Sequence, residues 1–255
     1  PDIEIVACSG DDARFDALNA DIKRMKLQYR DEHYYNTSKW FFENAGKFDS
    51  YERGGPKVYL GEYAVCYSGL ERKNAFNSAL AEAAFMTGIE RNCDVVAMAC
   101  YAPLLANPAA HVWSPDLIFF NAFDRLLTCS YYVQKMFSLN VGDQLIKLSS
   151  PQTDLKGGSR LYASAMQTQE EIIIKLVNAN PQPVSVSFAF PKTENVQRDV
   201  TIETLRSDNV RAENTFDDPL KIVPQTQKIR LAADGKNKLA LEGNSVNVLK
   251  FKRAK

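Results

Sequence analysis

At 255 residues the chain is long enough for one large domain or two ordinary ones, and its 45% apolar content is that of a globular protein able to bury a core. Lysine plus arginine and aspartate plus glutamate both number 31, so no net field draws the chain to nucleic acid or to an anionic membrane surface. No apolar run reaches the ~18 residues of a membrane span, because Glu82 breaks and Glu90 ends the longest candidate.

The five cysteines, Cys8, Cys66, Cys93, Cys100 and Cys129, are odd in number and lack a CxxC pair. They read as small buried hydrophobes rather than as a disulfide framework. His33 and His111 have no companion at metal-ligand spacing, so no metal site is expected. The sequence opens on Pro1 with no basic and then apolar leader, which leaves any targeting signal cleaved or outside the sequence.

In chain order, residues 3–7 read as a strand, 15–25 as a helix, 28–35 as a strand, 38–51 as a helix and 57–64 as a strand. Residues 74–90 carry Phe76, Leu80, Ala83, Ala84 and Ile89 at near-helical spacing, with Asn74 as the expected N-cap. The stretch 94–106 is apolar almost throughout and longer than an ordinary strand. With Asp94 at its start, it is expected to be a buried helix. Residues 117–120 then form the fourth strand, and Ser130 caps a last helix running towards Gly142. This alternation of strands and helices argues for a parallel sheet with crossover helices.

After residue 142 the helical pattern stops. Six β-prone runs follow, at 161–165, 172–178, 184–190, 200–205, 228–231 and 245–251, bounded by turn clusters such as Asn180, Pro181 and Asp234, Gly235. They predict an antiparallel sandwich. Val184, Val186, Phe188 and Phe190 alternate with Ser185, Ser187 and Ala189, which marks a strand with one face on a core. The first part thus supplies four strand and helix units in about 142 residues, where a closed eightfold barrel needs eight units and roughly 250 residues. It is either a small open α/β sheet or the second half of a barrel.

One carboxylate stands out. Gly61, Glu62, Tyr63 and Ala64 end the apolar run Val58, Tyr59, Leu60, announced by Gly54, Gly55 and Pro56, so Glu62 emerges where barrel enzymes carry their chemistry. In the preceding strand, alternation puts His33 and Tyr35 on one face and Glu32 and Tyr34 on the other. Asp31 shares the parity of His33 but lies deeper. A phenol beside a carboxylate holds it ionised and oriented, as a nucleophile requires. On the residues alone, such an acidic site competes with a glutamate that merely caps or salt-bridges at a strand end. Likewise Trp40, Phe41 and Phe42 read as core packing before a sugar platform, and Asp116 as a turn aspartate or a contact to a substrate hydroxyl. Arg72, Lys73 and the closing Lys250, Lys252, Arg253 and Lys255 read as solvated charges.

Six motifs in order, DEHYY (31–35), GEYA (61–64), ALAEAAFMTGIERN (79–92), MACYAPLLAN (98–107), WSPDLIFF (113–120) and SYYVQKMFSLNVGD (130–143), resemble the α-L-arabinofuranosidases of glycoside hydrolase family 51. Weaker similarity continues through NTFDDP (214–219). Cys129 stands where the family usually shows proline and Asn121 where it shows an acidic residue.

The resemblance implies strands five to eight of a (β/α)8 barrel over 1–142 and a C-terminal β-sandwich over 143–255. It further implies retaining hydrolysis of terminal α-L-arabinofuranosyl groups from plant polysaccharide or oligosaccharide, without metal or organic cofactor. By motif, Glu62 corresponds to the nucleophile, His33 and Tyr35 to residues lining the sugar subsite, and Asp116 to a position near the sugar. The family's general acid/base sits in an Asn-Glu pair that does not occur here, so an isolated chain is expected to be inactive. Another retaining glycosidase of the same clan, and a non-catalytic carbohydrate-binding or assembly protein, are the alternatives. An extracellular location is favoured for the intact protein, and its homo-oligomerisation is left open.

Overall fold

The computed structural model describes residues 3–10, 15–66, 74–110, 113–191, 196–231 and 238–254. His111, Arg72, Lys73, Lys255 and the turn at Asp234 and Gly235 lie outside them. The chain runs β1 (Val6–Gly10), α1 (Phe15–Arg24), β2 (Tyr29–Asn36), α2 (Ser38–Glu43), β3 (Lys57–Val65), α3 (Phe76–Arg91) and β4 (Val96–Tyr101). Strands β1 to β4 form a parallel sheet in sequence order. One face is covered by the helices: Val58, Leu60, Tyr63 and Val65 of β3 pack with Phe41, Phe48, Ala81 and Phe85. Each such apolar side chain buried contributes about 1.5–3 kcal/mol. The aromatic run behaves as core, since Trp40 stacks on Tyr34 at 5.3 Å and Phe41 meets Phe85 edge-on at 5.1 Å.

Several boundaries differ from those expected. Residues 94–106 are not a helix. They contain β4, then β5 (Leu105–Ala106), and Pro103 between them removes the backbone N–H a helix interior would need. Asp94 does not open a helix but pairs with Arg53 at 3.1 Å. The fourth strand of the sheet is therefore β4. The 117–120 run, β6 (Ile118–Phe120), pairs instead with β5 and β7 (Arg125–Leu127) in a separate small sheet.

The 38–51 helix is interrupted after Glu43, where Asn44 closes on the Trp40 carbonyl, and a single 3-10 turn follows over Lys47–Ser50. Close packing fixes that break: a Cβ at Gly88 of α3 would stand 2.0 Å from the Ala45 carbonyl oxygen. Asn74 does not cap α3. Its amide pairs with the Asp116 backbone, and the first N–H groups of the helix, at Phe76 and Asn77, donate to the carbonyls of Ala212 and Val210 at 2.8 Å each. Helix α4 (Cys129–Ser138) is capped by Thr128, whose hydroxyl accepts from Tyr131 N–H at 3.2 Å, rather than by Ser130.

The remainder comprises β8 (Gln144–Leu145), β9 (Leu161–Gln167), β10 (Glu171–Asn178), β11 (Val184–Ser187), β12 (Val196–Arg206), β13 (Gln225–Arg230), β14 (Lys238–Leu241) and β15 (Ser245–Arg253). Six of them form an antiparallel sheet in the order β13-β12-β15-β10-β9-β8, and β11 pairs with β14. The centre of the large sheet is buried on both faces, which explains why Ile172, Ile173 and Ile174 run without apolar–polar alternation. Ile173 and Val177 of β10, with Val246 and Val248 of β15, pack on α3 and α4. Ile172, Ile174, Leu176, Leu249 and Phe251 face the β11–β14 ribbon.

A buried ion pair crosses the first of these interfaces. Lys175, 1% exposed, meets Glu90 of α3 and donates to the Phe137 carbonyl at 3.2 Å, while the Ser164 hydroxyl donates to Glu90 at 2.6 Å. Burial pulls the Lys175 ammonium below its ordinary range, and the charge of Glu90 opposes that shift. Arg91 adds a hydrogen bond to the Ala163 carbonyl at 2.9 Å. Among the described residues no helix is long and apolar enough to cross a membrane.

Candidate active site

The site lies on the face of the parallel sheet opposite the helices. Alternation in β2 directs Asp31, His33 and Tyr35 towards it, while Arg30, Glu32 and Tyr34 are buried on the helical side. Glu32 therefore does not face this site. It is fully buried, 2.9 Å from Arg30 and 2.6 Å from the Tyr34 hydroxyl, and burial pushes its carboxyl up against the pull of these partners.

Strict alternation along β3 would send Glu62 to the helical side, with Leu60. A bulge prevents this: Glu32 pairs with Leu60 but His33 pairs with Glu62, so Gly61 is the extra residue. Leu60 and Tyr63 both stay in the core, and Glu62 turns to the open face. Glycine is required by proximity, since a Cβ at residue 61 would stand 2.2 Å from Asp31 Oδ1. Its N–H donates to that same oxygen at 3.1 Å.

The polar groups form a chain across the two strands. Asp31 Oδ2 lies 3.1 Å from His33 Nε2 and orients the ring, which leaves His33 Nδ1 3.5 Å from Glu62 Oε2. The Tyr35 hydroxyl donates to the same Oε2 at 2.6 Å. Glu62 retains 41% side-chain exposure against 24% for His33 and 19% for Asp31, so the carboxylate is reachable while its neighbours are fixed. Trp113 packs edge-on to Tyr35 at 5.5 Å and is itself exposed. Together these give an oriented, partly exposed carboxylate beside the rings of Tyr35 and Trp113, which suits attack on, or stabilisation of, an electron-poor carbon.

The structure thus brings together His33, Tyr35 and Glu62 of the sequence-derived residues, and adds Asp31 as the group that sets the imidazole. Asp116 is not the solvated turn residue of the plainer reading. It is 2% exposed, its backbone is held by Asn74, and its neighbour Leu117 packs in a cluster with Ala64 and Tyr35. Behind the site, Glu82 of α3 is fully buried and accepts from Val65 N–H at 3.0 Å, and burial pushes its carboxyl up to about 7. Cys66 and Cys129 are buried as expected, but Cys8, Cys93 and Cys100 are exposed.

The α-L-arabinofuranosidase C-terminal domain family matches residues 61–245. The chain is 47% identical over 161 residues to an extracellular exo-α-L-arabinofuranosidase of Streptomyces chartreusis, covering 62% of this chain and 19% of that protein. It is 35% identical over 244 residues to α-L-arabinofuranosidase 1 of Arabidopsis thaliana, covering 92% of this chain and 34% of that protein. The chain therefore spans between about a fifth and about a third of the length of these relatives.

Among solved structures, an arabinose-bound family 51 α-L-arabinofuranosidase, MgGH51, superposes with TM-score 0.80 at 32% identity, over 89% of this chain and 37% of that one. The Thermotoga maritima α-L-arabinofuranosidase in complex with arabinose shares the fold, with TM-score 0.79 at 16% identity over 98% and 58% of the two chains. With the family's domain matched over most of its length, this chain belongs to the α-L-arabinofuranosidase C-terminal domain family, on the glycoside hydrolase family 51 scaffold.

Proposed function

We propose that the chain is the C-terminal part of a retaining glycoside hydrolase that releases terminal α-L-arabinofuranosyl groups from arabinose-containing polysaccharide or oligosaccharide. Residues 1–142 are taken as the second half of its (β/α)8 barrel and 143–255 as its β-sandwich domain. Glu62 attacks the anomeric carbon and forms a glycosyl ester while an acid protonates the departing oxygen. That group then deprotonates water, which releases arabinose. The acid/base is assigned to a segment outside this sequence, because no Asn-Glu pair occurs in it. His33 and Tyr35 line the sugar subsite, and Asp116 is assigned to its wall beside Leu117.

The observation that carries this reading is the 2.6 Å hydrogen bond from Tyr35 to a half-exposed Glu62 at the C-terminal end of a parallel strand. The test uses the complete reading frame. Glu62→Gly in that protein should abolish turnover of an aryl α-L-arabinofuranoside, and azide should restore it with formation of the inverted glycosyl azide. Full activity in that variant removes Glu62 from the chemistry, and turnover by the 255-residue chain alone overturns the placement of the acid/base.

A further inference from the structure

The clearest arrangement outside that reading lies one strand deeper on the same face. Cys8 of β1 stands directly across from Asp31 of β2 in the parallel register, and His33 follows two residues on. Cys8 Sγ, a carboxylate oxygen of Asp31 and a ring nitrogen of His33 all lie within 4.8 Å of one another. The three residue types form a donor set for a borderline-soft divalent cation, for which thiolate and imidazole are preferred. A tetrahedral zinc ion with bonds of about 2.0–2.3 Å sets neighbouring ligand atoms roughly 3.3–3.7 Å apart, within reach of small side-chain rotations here.

The outer contacts of a metal centre are also in place. Gly61 N–H holds the other Asp31 oxygen at 3.1 Å, and the His33 nitrogen turned away from Asp31 faces the Glu62 carboxylate at 3.5 Å. Such partners fix the ligand orientations and the imidazole tautomer. The spacing 8, 31, 33 resembles no local metal motif, because the ligands come from adjacent strands.

We propose that Cys8, Asp31 and His33 form a zinc-binding site that acts as an inhibitory switch on Glu62 rather than as a cofactor centre. Zinc on His33 Nε2 leaves Nδ1 protonated and donating to Glu62, and sets a cation with one open coordination position on the floor of the pocket. Metal binding stands on the donor geometry alone; the inhibition rests on the role proposed for Glu62.

The test is a Zn2+ titration of the complete protein, with alkylation of individual cysteines followed by mass spectrometry. One zinc per chain is expected. Cys8→Ser should weaken binding at least about tenfold, and Cys100→Ser should leave it unchanged. In the unsubstituted complete protein, bound zinc should slow alkylation of Cys8 but not of Cys93, which keeps the test open should Cys8→Ser fail to fold. Equal alkylation of Cys8 with and without zinc, or equal affinity in a folded Cys8→Ser chain, overturns the site. In the complete enzyme, zinc should inhibit and Cys8→Ser should relieve it. Zinc bound through Cys8 without inhibition would refute the switch while leaving the site standing, and the role of Glu62 is decided separately by the Glu62→Gly variant.

Discussion

Gly61 and Asp31 touch so closely that the smallest side chain cannot be placed between their strands: a Cβ on residue 61 would fall 2.2 Å from Asp31 Oδ1. Gly61→Ala must therefore expel the carboxylate or open the bulge. The expected cost is about 1–3 kcal/mol of stability, as for other overpacked positions. It should be accompanied by a fall in kcat of the complete enzyme, because Asp31 no longer sets His33. Urea unfolding and steady-state kinetics check both.

Tyr35→Phe keeps the ring against Trp113 and removes only the hydroxyl that donates to Glu62. A hydrogen bond to a charged group contributes about 1.5–3 kcal/mol. The complete enzyme should lose roughly 10–100-fold in kcat, with the unfolding midpoint close to that of the parent. A change in KM alone would show that the hydroxyl binds sugar without steadying the carboxylate.

Glu82 supplies a pH dependence whose sign is fixed. Burial raises its carboxyl from 4.5 to about 7, so the folded state holds a proton that the unfolded chain gives up earlier. The contribution is complete below about pH 4.5 and is lost as pH rises to about 7, an effect of about 3 kcal/mol. Glu82→Gln keeps an acceptor for Val65 N–H and should flatten this part of the profile. Urea midpoints at pH 5 and pH 8 for both proteins test it.

The Lys175–Glu90 pair is a buried ion pair rather than a surface one. Lys175→Ala strands a carboxylate and should cost about 3–5 kcal/mol, whereas Lys175→Met with Glu90→Leu should recover most of that loss. Denaturant melts of the single and double variants decide the matter.

Alternation made much of the site legible: the parity of Asp31, His33 and Tyr35 follows from the pleat alone. The orientation of Glu62 does not, because it depends on one extra residue at Gly61 that no local propensity marks. The apolar run 94–106 misled for a related reason. Its edge strand β4 carries apolar residues at exposed positions as well as buried ones, Ala97 to Cys100 all being exposed, which erases the period that separates strand from helix. Pro103 was the available sign against a helix. Cys8 reads as a buried hydrophobe in the sequence because a strand register, not a sequence spacing, sets its neighbours.

Helix α3 is fastened at both ends to segments that contribute nothing to the site: its leading amides to Ala212 and Val210 in the loop after β12, its trailing side chains to Ser164 and Ala163 of β9 and Lys175 of β10. Midway, Glu82 grips β3 at Val65, three residues past Glu62. The sandwich is thus the anvil on which the pocket is set. A chain cut after residue 142 would keep every polar group of the site and lose the rigidity that aims them.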